Sequence, residues 1–581
     1  MTKRSAFCRA IALLLLVGAH GFAANGKAPI VTGAGATRAA ANLDEWRDAR
    51  FGLFIHWGSA SVIGKELSWS RGGIRRGLEG PLAYPAFSGE VPAEVYDNLY
   101  RIFNPTKFDA RAWVATAKAA GMKYIIITTR HHDGFSMFDS ALSDYKVTNS
   151  PFQRDVVGEV AKACHEAGMK FGFYYSQVNW SHPAWNNANM ERYIQYMHGQ
   201  LRELCTRYGK IDIFWFDGAC GTAETWQSEK MLKMIRALQP GILINDRSGL
   251  PGDFETPEET VGGFKTDRPW ETCMTIGEHW GWCWEENYKS SEDLLAMLIA
   301  SAGGDGNFLL NMGPLPTGEF APEQLARVMP MGRWLKQYGE SIYGTRGGPF
   351  KPTLGLVSTH KGNVIYVHVL DWMGAEGIDL TPIERKVVKG SLLTGGTVKV
   401  RQSSEGITLG VPKKYRQKLD TIVKLELDGP ASSLAPRPAV RSGSLAYHAK
   451  VSATSTSNDD RRYTPEKALD DDYGTFWDAA PNKENAWNFT VDLGRPTRIG
   501  RVFISEWCPY TNAYLVSDFE LQYKSGEAWK TFHHGTTIGR KFMLEFPPLT
   551  AREVRLKVNK KLPWRPESPG LYEFQLFAPD K

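Results

Sequence analysis

The sequence predicts an α/β protein in which a (β/α)8-type barrel is followed by two β-sandwich domains. Three patterns lead to this prediction. Short apolar runs alternate with longer amphipathic ones over residues 44–345, short strands separated by turn residues fill residues 346–434, and a second strand-rich region occupies residues 442–581. With 581 residues, 42% of them hydrophobic and 23% charged, the chain has the length and composition of a folded protein of several domains.

The amino terminus has the pattern of an export signal. Basic residues precede the apolar run Ile11–Val17, and small residues stand at Gly21–Ala23, where a signal peptidase would cut. We therefore predict a signal peptide over residues 1–23 and a mature protein exported to the periplasm or the extracellular space. The apolar run is too short to cross a bilayer, so membrane insertion is not expected.

Charge and cysteine content exclude some classes of function. Removing the three basic residues of the signal lowers the formal net charge from +6 to +3 (6 − 3 = 3), and no basic run remains, so nucleic acid is not an expected partner. The six cysteines beyond Cys8 lack CxxC spacing, which indicates neither a zinc site nor a dense disulfide framework, although one or two disulfides stay open. The 19 tryptophans suit packing against sugar rings, but they also serve as core residues in β-rich proteins. Nothing in the sequence indicates the oligomeric state.

Continuous apolar strands alternate with amphipathic helices in the first region, which is typical of a parallel sheet covered by helices. Strands are predicted at Phe51–His56, Lys123–Thr129, Lys170–Tyr175, Ile211–Phe216, Ile242–Asn245 and Asn307–Met312. Helices are predicted at Ala110–Ala120, Asp155–Ala167, Met190–Arg207, Ser228–Leu238, Ser291–Ala302 and Pro322–Tyr338. The competing fold is a doubly wound open sheet, but no glycine-rich phosphate loop follows the first strand.

The second region reads as an antiparallel sandwich, because its short strands are separated by turn residues. These strands are predicted at Asn363–Val369, Val398–Arg401, Ile407–Val411 and Thr421–Leu427. The segment Ser432–Arg441 contains two prolines and resembles a linker, and the strand pattern resumes after Ser442 as a second sandwich.

Polar and aromatic residues crowd directly after the predicted barrel strands. In a barrel the carboxyl ends of the strands converge on one cleft, so these side chains are expected to meet. The strand ends are His56-Trp57, His131–Phe135, Tyr174–Ser176, Trp215–Asp217 and Asn245–Arg247, and the acidic segment Glu255–Glu259 follows.

Two acids in this set could serve glycoside cleavage, in which one carboxylate attacks the anomeric carbon and the other exchanges a proton with the leaving oxygen and with water. Asp217 ends an apolar strand, where a charge is costly unless it has a task or a partner. Taken alone, Asp217 is better interpreted as a cap of the next helix, and Glu258 as a solvated loop charge.

His56, His131 and His132 are candidates for metal ligands or for hydrogen-bond partners of sugar hydroxyls. Two adjacent histidines do not easily face one metal from a single extended segment, and no HExxH motif is present. The hydrogen-bonding role is therefore expected, no metal is expected in catalysis, and a structural role for one of the three stays open.

At these strand ends and in the segments around them, the sequence resembles glycoside hydrolase family 29, the α-L-fucosidases. The resemblance covers roughly residues 44–343. The resemblance rests on six blocks in one order, which together are specific. The blocks are FGLFIHWG (Phe51–Gly58), TTRHHDGF (Thr128–Phe135), GFYYS (Gly172–Ser176), WFDG (Trp215–Gly218), NDR (Asn245–Arg247) and DFETPE (Asp253–Glu258).

The resemblance implies a retaining, exo-acting hydrolase of fucosylated oligosaccharides or glycoconjugates. Asp217 would be the nucleophile and Glu258 the acid/base, with Glu271 in PWETC as the alternative. Fucose would be bound by His56, His131, His132, Tyr174, Trp215 and Arg247, by Trp69 on a loop over the sugar, and by Phe54 and Trp280 at the pocket for the C6 methyl group.

One position departs from the family pattern. Many members have Glu directly before the loop Trp, whereas this chain has Ser68 there and Glu66 two residues earlier, so the binding of O3 and O4 stays open. In the family's branched-linkage subset the acid/base lies in a segment with a different sequence, and that sequence is not found in this chain. This favours the broad-substrate subset.

The carboxyl-terminal region resembles discoidin or factor V/VIII type-C modules, which are similar to a family of sugar-binding modules. The match rests on Ala468–Asp472 (ALDDD), Thr475–Trp477 and Val491–Gly494. The resemblance implies a structural calcium ion near the first Asp cluster, since hard oxygen ligands suit that ion.

Two further functions compete with fucoside hydrolysis. The first is hydrolysis of a related sugar such as an α-L-galactoside, because an apolar methyl pocket discriminates weakly against an added hydroxyl. The second is an inactive carbohydrate-binding protein, against which the presence of both expected carboxylates argues.

Overall fold

A computed structural model of the chain describes residues 34–579 apart from 74–88, 219–220, 262, 354, 373–376, 440–443, 457–462, 473–474, 482–485, 508–513, 540 and 563–567. The predicted signal peptide, Cys220 and Cys508 lie outside the described residues. The described chain forms two compact units, one within Met1–Val261 and Thr266–Thr345, and the other within Gly262–Lys265 and Arg346–Lys581. No described helix has both the length and the apolar character needed to span a membrane.

The first unit is built on a parallel sheet with the strand order β5-β4-β3-β2-β1-β7-β6. All residues of β1, β2 and β7 are buried, which explains why apolar residues fill β1 and the central positions of β7 and make up most of β2. The strands are β1 Phe51–Ile55, β2 Tyr124–Arg130, β3 Lys170–Ser176, β4 Ile213–Asp217, β5 Leu243–Ile244, β6 Glu271–Thr275 and β7 Asn307–Asn311.

An irregular segment between β5 and β6 fills the eighth position of the barrel. Phe254 bridges to Asn245 beyond β5, while Glu255 and Glu258 bridge to Trp270 and Cys273 on the β6 side, all in parallel orientation. Backbone hydrogen bonds on both sides of this segment therefore close the sheet. The segment takes the place of one strand of a (β/α)8 barrel, although it is not a regular strand.

Helices of the first unit cover the sheet, and several of them begin after a residue whose side chain caps the helix. Asp109 accepts from the amides of Arg111 and Ala112, Asp155 from that of Gly158, and Ser290 from that of Asp293. The helices are α1 Ala34–Ala49, α2 Ala93–Tyr96, α3 Ala110–Ala119, α4 Val156–Glu166, α5 Met190–Arg207, α6 Ala223–Trp226, α7 Ser228–Leu238, α8 Ser291–Gly303 and α9 Pro322–Tyr338.

The second unit begins with a sandwich of a five-stranded and a three-stranded antiparallel sheet, ordered β12-β15-β10-β9-β8 and β11-β14-β13. Apolar side chains of both sheets meet in one core. The strands are β8 Arg346–Gly347, β9 Leu356–Lys361, β10 Val364–Val369, β11 Ile378–Leu380, β12 Val387–Leu392, β13 Lys399–Ser403, β14 Gly406–Gly410 and β15 Thr421–Leu427.

The segment predicted as a linker packs on this sandwich for most of its length. Leu434 and Ala439 belong to its core, and Arg437 bridges to Phe350. The apolar side chains explain the difference, because burying Leu434 and Ala439 fixes a segment whose prolines alone would indicate a tether.

The last part of the second unit is an antiparallel β-structure ordered β17-β22-β18-β21-β19-β20, with β16 paired to β18. Alternate residues of the long strands face one core that includes Trp477, Phe489, Phe519 and Phe574. The strands are β16 Lys450–Ala453, β17 Trp477–Asp478, β18 Trp487–Trp507, β19 Val516–Ser525, β20 Ala528–Gly535, β21 Phe542–Lys561 and β22 Gly570–Phe577.

Candidate active site

Asp217 is the last residue of β4, at the carboxyl end of the barrel. Its Oδ2 accepts from Tyr174 Oη at 2.6 Å and lies 3.6 Å from His132 Nε2, and its Oδ1 lies 3.0 Å from Arg247 Nη1. Burial raises the pKa of Asp217, but the positive charge of Arg247 and the hydrogen bond from Tyr174 contribute to lowering it below its ordinary value. The carboxylate is therefore ionised at neutral pH.

Arg247 joins Asp217 to the second candidate carboxylate. Its Nη2 lies 2.7 Å from Glu258 Oε2, while Nε and Nη2 donate to the hydroxyl and carbonyl oxygens of Thr256. The guanidinium also lies 4.5 Å from the ring centroid of Trp215. Four polar contacts and the Trp215 ring fix the guanidinium plane, so both carboxylates have a defined position relative to one rigid cation.

The three candidate histidines are buried around Asp217, and each is oriented through Nδ1. That nitrogen is 2.7 Å from Asn311 Oδ1 in His56, 2.6 Å from Ser68 Oγ in His131 and 2.7 Å from Ser176 Oγ in His132. Burial lowers the pKa of His56 to about 3 and that of His132 to about 4, and it lowers the pKa of His131 well below its ordinary value. All three are neutral imidazoles at physiological pH, able to hydrogen-bond sugar hydroxyls.

The adjacent histidines do not lie on a single extended segment, as the argument against a shared metal assumed. The chain turns after β2, where the amide of Gly134 donates to the carbonyl of His131, and the two imidazole rings lie 4.2 Å apart. Ligand atoms of His131, His132 and Asp217 therefore lie within 4.8 Å of one another. The extended-segment argument against a shared metal was wrong, and the preference for hydrogen bonding now rests on the serine contacts that fix both Nδ1 atoms.

Aromatic side chains form the floor and walls of the site. Phe54 lies in the barrel with its ring 4.5 Å from His56, 5.1 Å from Trp215 and 6.2 Å from Trp280. The Trp280 ring is also 4.9 Å from His56. On the other side, the rings of Trp69 and His132 are 5.2 Å apart. The structure thus brings every sequence-predicted sugar-binding residue around Asp217 and Arg247.

Two residues near Trp69, at the position where the sequence departs from the family pattern, hold loops and a histidine in place. Glu66 is buried, and its carboxylate accepts from the amides of Leu67, Trp280 and Gly281 at 2.7, 2.7 and 2.9 Å. Burial raises its pKa to about 7. The Ser68 hydroxyl instead donates to or accepts from His131 Nδ1 and accepts from the Asp133 amide. Glu66 therefore ties the Trp69 loop to the Trp280 loop.

The alternative acid, Glu271, lies at the opposite end of the barrel. It is the first residue of β6, and its carboxylate accepts a short hydrogen bond from Tyr124, the first residue of β2. Burial raises the pKa of Glu271 to about 8. Because Asp217 ends its strand and Glu271 begins one, the two carboxylates face different ends of the parallel sheet.

Sequence reasoning missed two residues that shape the site. Asn311 orients His56 and ends β7, so the strand-end rule that found Asp217 could have found it. Trp180 packs against both Trp69 and His132, at 5.4 and 5.3 Å. Its place four residues after β3 carries no local signal that distinguishes it from a core residue.

The comparison with known families agrees with this geometry. The family model "Alpha-L-fucosidase" matches residues 32–340, which is more than half of the chain. The chain belongs to the alpha-L-fucosidase family. A second model, "F5/8 type C domain", matches residues 451–571.

Related fucosidases resemble the chain in both sequence and structure. Human plasma alpha-L-fucosidase is 30% identical over 367 residues, covering 57% of this chain and 77% of its own. Alpha-L-fucosidase isoenzyme 1 from Paenibacillus thiaminolyticus is 34% identical, with a TM-score of 0.59 over 67% of this chain and 100% of its own. A GH29 alpha-L-fucosidase from Bacteroides thetaiotaomicron, solved as a trapped covalent intermediate, is 29% identical, with a TM-score of 0.60 over 67% of this chain and 96% of its own. The chain is accordingly a glycosidase, a retaining α-L-fucosidase of glycoside hydrolase family 29.

Proposed function

We propose that Asp217 is the nucleophile and Glu258 the acid/base in the hydrolysis of terminal α-L-fucosides. The observation that carries the assignment is the shared contact of both carboxylates with Arg247, at 3.0 and 2.7 Å. A retaining glycosidase needs two carboxylates at one sugar, one to form a glycosyl ester and one to move a proton. The ion pairs and the hydrogen bond from Tyr174 keep Asp217 anionic, as a nucleophile must be.

In the first step Asp217 attacks the anomeric carbon as the bond to the leaving oxygen breaks, and Glu258 gives that oxygen its proton. In the second step Glu258 takes a proton from water, whose oxygen attacks the same carbon and releases Asp217. The two inversions retain the configuration. Because a proton donor must be protonated, the Glu258–Arg247 ion pair has to open when substrate arrives, and sugar hydroxyls then compete for Arg247.

The neutral histidines and the aromatic rings are proposed to bind the fucose ring. His56, His131 and His132 each have Nδ1 fixed by a neighbour, so Nε2 is the nitrogen proposed to meet a sugar hydroxyl, and in His132 this nitrogen lies beside Asp217. Phe54 and Trp280 supply an apolar wall that suits the C6 methyl group, and Trp69 supplies a face for the ring. No metal is assigned to these steps.

Substrate choice is tested with paired aryl α-L-fucoside and α-L-galactoside, which differ by a hydroxyl on C6, and the product anomer is followed by NMR. We expect the fucoside to be cleaved faster by about tenfold or more, with α-L-fucose formed first. Equal rates would favour the broader sugar specificity. An initial β-anomer would contradict double displacement, and no turnover of either glycoside would favour a binding protein.

For the carboxyl-terminal module we propose glycan binding and a structural calcium ion. The carboxyl group of Glu573 is buried close to Asp471 and Asp470, and burial and the charges of these two residues raise its pKa well above its ordinary value. Oxygen ligands with uncompensated negative charge fit calcium, which Asp470, Asp471 and Glu573 would hold. Calcium should raise the melting temperature of the full chain, and Glu573→Gln should remove that increase. An unchanged melting temperature would contradict the assignment.

We also propose that the chain is exported after removal of residues 1–23. The proposal rests on the basic, apolar and small-residue order of that segment. Amino-terminal sequencing of the protein recovered from the periplasm or the medium should find a mature start close to Ala24. Recovery of the uncut chain from the cytoplasm alone would contradict it.

A further inference from the structure

The loop between β6 and α8, residues 276–290, contains a cluster of three ligand-type side chains outside the proposed catalytic set. Ligand atoms of His279, Cys283 and Glu286 lie within 4.8 Å of one another. Their side chains are largely buried, and His279 Nδ1 lies 2.8 Å from Glu286 Oε2. Cys283 is a reduced thiol. If the only role of this cluster were the ion pair between His279 and Glu286, no thiol would be needed beside it.

The chemistry of these donors fits one class of ion. A nitrogen, a sulfur and an oxygen donor at about 2.0–2.3 Å from a tetrahedral ion lie about 3.3–3.6 Å apart, and this combination is typical of zinc. The 2.8 Å His279–Glu286 contact has to open by only about half an ångström to admit the ion. Thiolate and carboxylate together also balance a divalent charge. We propose that His279, Cys283 and Glu286 bind one Zn²⁺ ion, with a fourth position for water.

The position of this zinc site gives it a task in the fucosidase. His279 directly precedes Trp280, whose amide donates to Glu66 and whose carbonyl accepts from Asn311. The loop is held at its base by Lys289, whose Nζ donates to the carbonyls of Thr275 and Gly277. A zinc ion would fix the tip of the loop as Lys289 fixes its base, and so would keep Trp280 beside His56.

Cobalt(II) substitution tests the site through its sulfur ligand. The full chain is stripped with a chelator and titrated with Co²⁺ without air. We expect one equivalent to bind with a sulfur-to-cobalt charge-transfer band and the visible bands of a tetrahedral ion, and Zn²⁺ to displace it and raise the melting temperature. The cluster of His131, His132 and Asp217 has no sulfur, so metal bound there gives no such band.

Three cysteine variants make the test specific. Cys283→Ala should abolish the charge-transfer band and the increase in melting temperature caused by Zn²⁺. Cys164→Ala, which removes another buried thiol on α4, should keep both. Cys283→Ser is measured in parallel, because it preserves the volume and the fold while removing the thiolate. Absence of the band in the native chain, or its persistence in a folded Cys283 variant, overturns the proposal.

Discussion

At the scale of single residues, Arg247 and its two carboxylates decide the chemistry. Removing the nucleophile leaves no group that can form the glycosyl ester, so Asp217→Gly should lower turnover of aryl fucosides by roughly ten-thousandfold or more. Azide, which fits the space vacated by the carboxylate, should restore part of the activity and yield β-fucosyl azide. Near-normal turnover of a folded Asp217→Gly protein would exclude the assignment, and circular dichroism checks the fold.

The acid/base is tested by the leaving group. A poor leaving group needs protonation and a good one does not, so Glu258→Ala should slow natural fucosides by about 10²–10⁴-fold but activated aryl fucosides much less in the first step. Glu271→Gln is the control, since Glu271 begins β6 at the other end of the barrel. If the leaving-group dependence followed Glu271 and not Glu258, the two assignments would have to be exchanged.

At the scale of elements, the sequence predicted six of the nine described helices of the first unit within about two residues of their observed ends, because amphipathic patterns and caps are local signals. It did not predict Ala34–Ala49 or the two single-turn helices Ala93–Tyr96 and Ala223–Trp226. It missed β6 (ETCMT), which is short and polar, and it treated residues 254–258 as a loop although they close the barrel. Periodicity does not reveal either, since their pairing depends on distant strands. For the same reason the sequence could indicate Asp217 but not the link that Glu66 makes to Trp280.

The contacts of Glu66, which join the Trp69 loop to the Trp280 loop, lead to a prediction about substrate binding. Glu66→Ala would leave the amides of Leu67, Trp280 and Gly281 without their buried acceptor, at a cost of about 1–3 kcal/mol each at most. Because two substrate-facing loops then separate, the KM for aryl fucosides should rise more than kcat falls. Glu90→Ala, which removes a more exposed carboxylate paired with Lys65, is the matched control and should change neither. Equal KM values for Glu66→Ala and the native chain would disprove the link.

Because Glu271 at the start of β6 is a buried acid, we expect the stability of the fold to depend on pH. Burial raises the pKa of Glu271 to about 8 in the folded chain, whereas the ordinary pKa of this carboxyl group is 4.5. Between these two pH values the folded chain keeps a proton that the unfolded chain releases. The stability that the fold gains from keeping this proton is therefore fully present below about pH 4.5 and is lost as pH rises towards 8. At pH 7, Glu271→Gln should be more stable than the native chain by up to about 3 kcal/mol, and at pH 4.5 the difference should vanish. Urea unfolding at both pH values measures it, and a pH-independent difference would contradict the raised pKa.

At the scale of the whole molecule, the assigned chemistry lies entirely in the first unit, since the carboxylates and sugar-facing residues precede residue 281. The second unit contains both β-sandwiches. Between these sandwiches, Lys351 lies 2.8 Å from Asp472, and Lys541 pairs with Asp371. Both are partly exposed ion pairs, which contribute about 0–1 kcal/mol each. Such contacts would hold the carboxyl-terminal module in place without making the first sandwich depend on it.

The last prediction follows from this arrangement and concerns removal of the module. The cut belongs after Ala439 rather than at Leu434, because Ala439 is part of the core of the first sandwich. A chain ending there should retain turnover of small aryl fucosides and nearly the native melting temperature. If the module binds glycan, the same truncation should weaken action only on large or surface-bound substrates, because it removes the local concentration that a second binding site provides. The full-length chain with Lys351→Ala and Lys541→Ala is the control for the interface, and it should behave as the native chain on both substrate classes. Loss of small-substrate turnover together with a lowered melting temperature would instead assign the module a structural role.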